Sequence, residues 1–261
     1  MFLDKIVNHK KLTLQEKKKT FPLEEVKKLA RNCPPVRDFK ESLKNNTGRE
    51  VIIAEIKRAS PSKGLICKEE EPENRALVYQ ESGAAAISVL TEEKYFLGSL
   101  KDLNKVKSAV DIPVLRKDFI VDQYQLYESR GEGADAVLLI TSILPDIELS
   151  SFIEICRKLS MAALVEVHTR DELQRALACG AEIIGINNRN LETFQTNIKV
   201  TIDLCSEVPP DVLLISESGI GSNEDIKKLK EKGVYTFLIG EALMDNQNPG
   251  QKIKELLYGK S

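Results

Sequence analysis

The sequence predicts an α/β fold, and within that class a closed (β/α)8 barrel of the TIM barrel type. Eight short apolar segments follow one another from residue 51 onward, and charged, amphipathic segments of helical length separate most of them. Near-continuous apolar strands joined by helices are typical of a parallel sheet whose outer face is covered. The length of 261 residues also suits a barrel, which usually takes about 250.

The predicted strands can be taken in chain order. Each is short and rich in aliphatic side chains, as expected of a buried strand. They are VIIAEI at 51–56, AAISVL at 85–90, IPVL at 112–115, AVLLI at 136–140, AALVEV at 162–167, EIIGI at 182–186, VLLIS at 212–216 and TFLIG at 236–240.

A repeated glycine favours a barrel over an open doubly wound sheet. Gly83, Gly133, Gly180 and Gly233 each end a helical segment and lead into a strand, at intervals of about 50 residues. Glycine suits the position after a helix because it adopts the left-handed conformation without steric cost. Each of the three intervals spans two βα units, and four such double units, one for each glycine, make eight strands.

The segment before the first strand is predicted to be an extension of the barrel. Residues 1–47 have the pattern of helices, interrupted at Pro22 and at Pro34–Pro35. We therefore predict one domain over 1–261, with 1–47 as an N-terminal helical extension that helps to close the barrel mouth. The lysine run 17–19 is expected to be a solvated face.

Composition excludes several classes of function. Lys and Arg (38) nearly balance Asp and Glu (40), for a formal charge of -2, so no global field favours nucleic acid or an anionic membrane. No apolar run approaches the roughly 20 residues of a spanning helix. Five scattered cysteines without C-x-x-C spacing fit a reducing compartment, and we expect a cytoplasmic protein.

Polar residues gather where the predicted strands end. Glu55 and Lys57 share one face of the first strand, Lys117 follows the third strand, and Glu166 lies in the fifth. The carboxyl ends of barrel strands meet at one mouth, so these charges are predicted to converge there as acids and bases. An edge strand with a solvated face is the alternative for Glu55 and Lys57 alone.

The two histidines, His9 and His168, lie far apart and predict no metal site; His168 is expected to be a loop residue.

Glycines after the last two strands predict a phosphate site. SESGI and LIGEAL place Ser218, Gly219, Gly240 and Glu241 where barrels often bind phosphate through backbone N–H groups. Tight turns that require glycine are the alternative explanation. The sequence contains neither the P-loop pattern G-x-x-x-x-G-K-[ST] nor the dinucleotide-binding pattern G-x-G-x-x-G, so it supports no nucleotide cofactor.

Eight motifs taken together resemble those of the indole-3-glycerol phosphate synthase family. They are AEIKRASPSKG, VLTEEKYFLGSL, PVLRKDFIVDQYQ, ADAVLLI, ALVEVHTRDEL, IGINNRNLETF, ISESGI and FLIGEALM. The resemblance runs from about residue 50 to the C-terminus. It implies a cytoplasmic carboxy-lyase of tryptophan biosynthesis that converts 1-(2-carboxyphenylamino)-1-deoxyribulose 5-phosphate into indole-3-glycerol phosphate, carbon dioxide and water, without a cofactor.

The resemblance also implies a role for each matching residue. Lys117 would be the general acid, Lys57 would act on the substrate carboxylate or the departing hydroxyl, and Glu166 would face both across the mouth as the base. Substrate orientation and proton transfer would involve Glu55, Asn187 and Glu217. The implied substrate-binding residues are Ser60, Ser218, Gly219, Gly240 and Glu241 near the phosphate, Phe96, Phe119 and Leu138 beside the anthranilate ring, and Arg189.

The sequence departs from the family pattern at three positions and leaves two other functions open. Asn188 and Asn190 stand where Ser and Asp are frequent. Glu241 replaces the serine of some members, and its side chain is expected to turn away from the phosphate, which would repel it. A Schiff-base lyase or aldolase would use Lys117 as nucleophile, and a silent barrel would only bind a phosphosugar. We expect a monomer, with weak homo-oligomerisation as the alternative.

Overall fold

Eight parallel strands close into a barrel in the computed structural model, which describes residues 2–44, 49–61, 64–66 and 71–259. Each strand pairs with its neighbours in sequence, and the first pairs with the last, with Ile53 opposite Leu238. The predicted (β/α)8 barrel is confirmed. The strands are β1 (Val51–Ile56), β2 (Ala86–Leu90), β3 (Val114–Lys117), β4 (Ala136–Ile140), β5 (Ala162–Val167), β6 (Ile183–Asn187), β7 (Leu213–Glu217) and β8 (Thr236–Ile239).

Helices surround the barrel and precede it. A hairpin that the sequence did not predict, Ala59–Ser60 with Gly64–Leu65, follows β1. The helices are α1 (Phe2–Thr20), α2 (Leu23–Asn32), α3 (Phe39–Leu43), α4 (Pro72–Glu81), α5 (Leu100–Ala109), α6 (Gln123–Gly131), α7 (Asp146–Lys158), α8 (Arg170–Ala178), α9 (Lys199–Leu204), α10 (Asn223–Lys230), α11 (Glu241–Met244) and α12 (Pro249–Tyr258).

The repeated glycines have the conformation that the sequence predicts. Gly83, Gly133, Gly180 and Gly233 have φ values of 97°, 89°, 85° and 82°, which lie in the left-handed region. Each one ends the turn between a helix and the following strand, so the chain reverses there without strain.

Alternation along the strands divides the apolar residues between two cores. One set, including Ile53, Leu115 and Leu164, fills the inside of the barrel. The other set, including Ile52 and Val165, packs under the surrounding helices. Because side chains alternate between the two faces of a strand, an inward polar residue must come two or four positions after an inward apolar residue.

The N-terminal extension contacts both ends of the barrel. Phe39 and Leu43 of α3 are fully buried with the inner apolar set, so α3 closes the end opposite the mouth. The lysine run is only partly the solvated face that we expected: Lys19 pairs within α1, whereas Lys17 and Lys18 form ion pairs with Glu128 and Asp122 at α6. These ion pairs fasten α1 along the barrel. Among the described residues, no helix has the length and hydropathy needed to cross a membrane.

Candidate active site

The inner faces of the strands change from apolar to charged at the carboxyl end of the barrel. On β3 the inward sequence is Leu115, then Lys117, then Phe119 just after the strand. β5 continues Leu164 with Glu166, and β7 continues Ile215 with Glu217. The two-residue period therefore brings the charges into one layer above the apolar interior.

Lys117 lies at the centre of this charged layer. Its Nζ atom is 2.7 Å from Glu217 Oε2 and 3.1 Å from Glu166 Oε2. Burial alone would lower the pKa of Lys117, but the two carboxylates outweigh burial and raise the pKa above its ordinary value. The amine is therefore held as an ammonium. Glu166 therefore accepts a hydrogen bond from Lys117 and does not only face it across the mouth.

The two carboxylates beside Lys117 differ in proton affinity. Burial, together with the negative charge of Glu166, raises the pKa of Glu217 to about 7 despite the nearby ammonium. For Glu166, burial opposes ionisation, but Lys117 and His168 outweigh it and lower the pKa. Of the two buried groups, Glu166 is the one held as an ionised base, and Glu217 is the one poised to carry a proton near neutral pH.

A second pair of opposite charges comes from the end of β1. Lys57 Nζ donates to Glu55 Oε1 at 2.8 Å, and Glu55 is only 5% exposed. Gly240, at the end of the adjacent β8, leaves the space for this pair, because a Cβ atom there would lie 2.2 Å from Glu55 Oε1. Glu55 and Lys57 thus lie on the inward face, and the edge-strand alternative for this pair is excluded.

The turn after β7 has an unusual backbone. Ser218 and Gly219 both have positive φ, 64° and 74°. A left-handed serine costs conformational energy and commonly marks a functional turn. Asn188 supports this turn by donating from Nδ2 to the Ser218 carbonyl at 3.1 Å.

Arg189 and Glu241 form an ion pair across the mouth. Arg189 Nη2 donates to Glu241 Oε2 at 2.8 Å, and Arg189 Nη1 donates to the Phe194 carbonyl at 2.9 Å. The carboxylate expected to turn away from the phosphate is therefore directed toward an arginine. This contact neutralises a charge that would otherwise repel an anion.

The apolar wall of the mouth comes from loops and from α1. The Phe96 and Phe119 rings lie 6.2 Å apart, near Leu138 at the cavity surface. Phe2, at the start of α1, contacts Tyr95 and Phe194 edge to face at 5.1 and 5.6 Å. Sequence reasoning named the first three residues but none of the α1 side chains, because a helix far upstream gives no sign of which strand ends it covers.

All the predicted site residues line one cavity of about 150 Å³. The structure thus brings together every position that the motifs named, although it tests none of their chemical roles. It adds Phe2, Leu3 and Ile6 from α1 to the cavity wall. His168 lies in the loop between β5 and α8, as the sequence predicts, but its contact with Glu166 was not predicted, although its position two residues after Glu166 was the available signal.

A (β/α)8 barrel whose mouth contains lysines and glutamates in contact, within an apolar wall, has the acidic and basic groups that enzymes of this fold use for proton transfer. Within the described ranges, no three His, Cys, Asp or Glu side chains group as metal ligands.

The chain belongs to the indole-3-glycerol phosphate synthase family, whose model matches residues 3–256. The indole-3-glycerol phosphate synthase of Desulforamulus reducens is 48% identical over 258 residues, covering 98% of this chain and 97% of its own. That of Carboxydothermus hydrogenoformans is 48% identical over 263 residues, covering 98% and 100%. The family and the enzyme class implied by the strand-end motifs are confirmed.

A solved structure supports the fold alone. 3-Hexulose-6-phosphate synthase matches with a TM-score of 0.63 and 16% identity, over 81% of this chain and 100% of its own. At that identity the likeness extends to the barrel and not to the reaction.

Proposed function

We propose that this cavity converts 1-(2-carboxyphenylamino)-1-deoxyribulose 5-phosphate into indole-3-glycerol phosphate, carbon dioxide and water, as a step of tryptophan biosynthesis. Family membership supports the reaction. The observation that carries the residue roles is the Lys117 ammonium, held charged between Glu166 and Glu217 at the centre of the mouth.

Ring closure is the step assigned to Lys117. The aryl carbon bearing the carboxylate attacks the ketone carbon, and the electron pair of the C=O bond moves onto oxygen. Lys117 donates a proton to that oxygen as its charge develops, and so acts mainly in the transition state. Phe119 lies two residues further along the same face and offers an apolar surface to the aryl ring.

The remaining steps are assigned to Lys57 and Glu166. Loss of carbon dioxide returns its bonding pair to the ring and restores aromaticity. The hydroxyl then leaves with a proton from Lys57, and Glu166 removes the carbon-bound proton whose electron pair forms the indole double bond. Glu55 positions Lys57, while Asn187 and Glu217 orient the groups around Glu166 and Lys117.

The phosphate is assigned to the turns after β7 and β8. Left-handed Ser218 and Gly219 shape the first turn, and Gly240 precedes α11 in the second. Ser60 and Arg189 line the same cavity, and Arg189 is paired with Glu241. These groups would hold the phosphate away from the reacting bonds.

A Schiff-base lyase requires Lys117 as a neutral amine, whereas the proposed ring closure requires it as a protonated acid. An amine flanked by two carboxylates stays protonated, so Lys117 is a poor nucleophile. Borohydride added with a keto-sugar phosphate should therefore leave Lys117 unmodified, as read by peptide mass. A reduced adduct on Lys117 would favour the lyase.

Turnover of the carboxyphenylamino substrate tests the proposal directly. The chain contains no tryptophan, so indole fluorescence from the product rises over a low protein background. Product formation without added metal or cofactor is expected. Binding of substrate without any turnover would instead support the silent phosphosugar-binding barrel.

Two further expectations belong with the function. A cytoplasmic location and a monomeric state suit a biosynthetic enzyme whose site is complete within one chain. Sedimentation at micromolar concentration should give the monomer mass, and a dimer that dissociates on dilution would indicate weak association.

A further inference from the structure

His168 is held between two carboxylates at the edge of the charged layer. Its Nε2 atom lies 3.4 Å from Glu166 Oε1, and its Nδ1 atom lies 3.3 Å from Glu172 Oε2. The ring is largely buried, with 13% of the side chain exposed. Glu166 therefore has a cation or a potential cation at each oxygen, Lys117 at Oε2 and His168 at Oε1.

The start of α8 fixes the position of the imidazole. Glu172 Oε2 also accepts the backbone N–H of His168 at 2.7 Å, and the Glu172 N–H donates to Thr169 Oγ1 at 3.2 Å. One carboxylate thus contacts both the backbone and the ring of His168. Since the helix cap fixes Glu172, the ring has little freedom to rotate away from Glu166.

We propose that His168, supported by Glu172, is a positioning residue that orients Glu166 and keeps it ionised as the base. This inference rests on the proposed role of Glu166. Nε2 lies 3.4 Å from Glu166 Oε1 without the geometry of a hydrogen bond, so the protonated ring acts through its positive charge, which favours the carboxylate form of Glu166.

Charged groups on three elements face the ring: Glu166 on β5, Glu172 on α8 and Glu217 on β7. Burial alone would lower the pKa of His168, but these carboxylates, with Glu172 first, raise it. His168 therefore stays protonated to a higher pH than a free imidazole. As the pH falls, this charge protects Glu166 from protonation.

The sign of the pH effect follows from this contact. Replacing His168 with asparagine removes the charge beside Glu166, so Glu166 should take up a proton at a higher pH. The acid limb of the plot of kcat against pH should move toward neutral pH in His168→Asn, with kcat at its optimum reduced roughly 10- to 100-fold and KM little changed.

Two comparison variants accompany this one. Glu172→Gln keeps an acceptor oxygen and should shift the same limb by a smaller amount. Glu182→Gln, a matched change in an ion pair with Lys40 at the opposite end of the barrel, should leave the profile unchanged.

A double-variant cycle separates this inference from the proposed function. If His168 acts only through Glu166, adding His168→Asn to Glu166→Gln should cause no further loss of kcat. Full additivity, or a uniform loss of kcat with an unshifted acid limb in both His168→Asn and Glu172→Gln, would overturn the positioning role. If Glu166→Gln alone retains full kcat, the assignment of the base fails first. Should His168→Asn not fold, the Glu172→Gln profile decides the question.

Discussion

Individual side chains in the mouth are defined by their charged neighbours. Lys117 contacts two carboxylates, and Lys57 contacts one. Removing one partner from a buried ion pair leaves an uncompensated charge, which is costly in free energy. Single substitutions should therefore alter the neighbouring side chain as well, and the comparison of variants must allow for this coupling.

The division of labour among Lys117, Lys57 and Glu166 gives the first prediction. Lys117→Ala should abolish turnover while substrate binding is largely kept, because the phosphate site that we propose lies at other residues. Lys57→Ala should impair both binding and rate, and Glu166→Gln should lose proton transfer, typically worth about 10²- to 10⁴-fold in rate. Single-turnover kinetics should show a closed-ring intermediate accumulating in the Lys57 or Glu166 variant. Accumulation in the Lys117 variant alone would reverse the assignment.

Gly185 gives a second prediction at the residue scale. A Cβ atom at this position would lie 2.0 Å from Glu217 Oε1, and Glu217 is buried with little space to move. Gly185→Ala should turn the carboxylate away from Lys117, lower kcat and destabilise the fold by about 1–3 kcal/mol. Gly221→Ala is the control, since a Cβ atom there meets open space. Equal kcat and equal urea midpoints for the two variants would contradict the packing argument.

Helix α1 connects the N-terminal extension to the residues of the mouth. Lys10 Nζ lies 2.9 Å from Asp118 Oδ1, and Asp118 directly follows Lys117 in sequence. Burial opposes ionisation of Asp118, but Arg116 and Lys10 lower its pKa to about 2. The helix is thus anchored beside the end of β3, which carries Lys117, and Phe2 lines the cavity.

Deleting residues 1–20 should therefore raise KM more than it lowers kcat. The deletion removes apolar wall and an anchor without touching the lysines and glutamates of the mouth. Lys10→Met should reproduce part of the rise, whereas Lys19→Met, which breaks only an exposed pair within α1, should not. Steady-state kinetics of the three variants measures these changes in KM. An unchanged KM after the deletion would show that α1 only covers the barrel and does not contribute to substrate binding.

The turn after β7 gives the prediction for the phosphate. Gly219 has a positive φ, and a Cβ atom there would lie 3.1 Å from Thr196. Gly219→Val should displace the turn and raise KM more than it lowers kcat, because phosphate contacts supply uniform binding. Gly180→Val imposes similar backbone strain far from the mouth and should lower stability alone. If both variants raise KM equally, the phosphate lies elsewhere.

The whole molecule is organised as a barrel with packing at both ends. α3 closes one end with Phe39 and Leu43, and the Tyr124 hydroxyl donates to the Phe21 carbonyl at 3.0 Å between α6 and the extension. These contacts favour the prediction that residues 1–261 form one domain. An extension that folded separately would not contribute to the inner core.

Unfolding should accordingly be a single cooperative transition. Urea titrations followed by far-UV circular dichroism and by tyrosine emission should give the same midpoint, because the extension and the barrel share buried residues. The absence of tryptophan makes tyrosine emission readable, and Tyr124 reports the contact between the extension and α6. An early transition seen by tyrosine emission alone would show that the extension unfolds first.

The sequence by itself determined the architecture and the position of each site residue along its strand. Eight apolar segments with capping glycines imply parallel strands, and their two-residue period places Lys117 and Glu166 on inward faces at the same end, whereas Glu217 was implied by the family resemblance. The opposing charges of Glu55 and Lys57 could be assigned to the mouth for the same reason. These inferences succeed because alternation and helix capping are local properties of the chain.

Tertiary structure alone decided which groups touch. Lys117 contacts Glu166 and Glu217 from strands that are not its neighbours, Phe2 reaches the mouth from far upstream, and His168 is fixed by a helix cap. Such contacts depend on barrel closure, side-chain rotamers and the space left by Gly185, none of which has a local signature. The proton affinities of Glu166 and Glu217 differ for the same physical reason: burial and the distance to each charge exist only after the strands have closed around them.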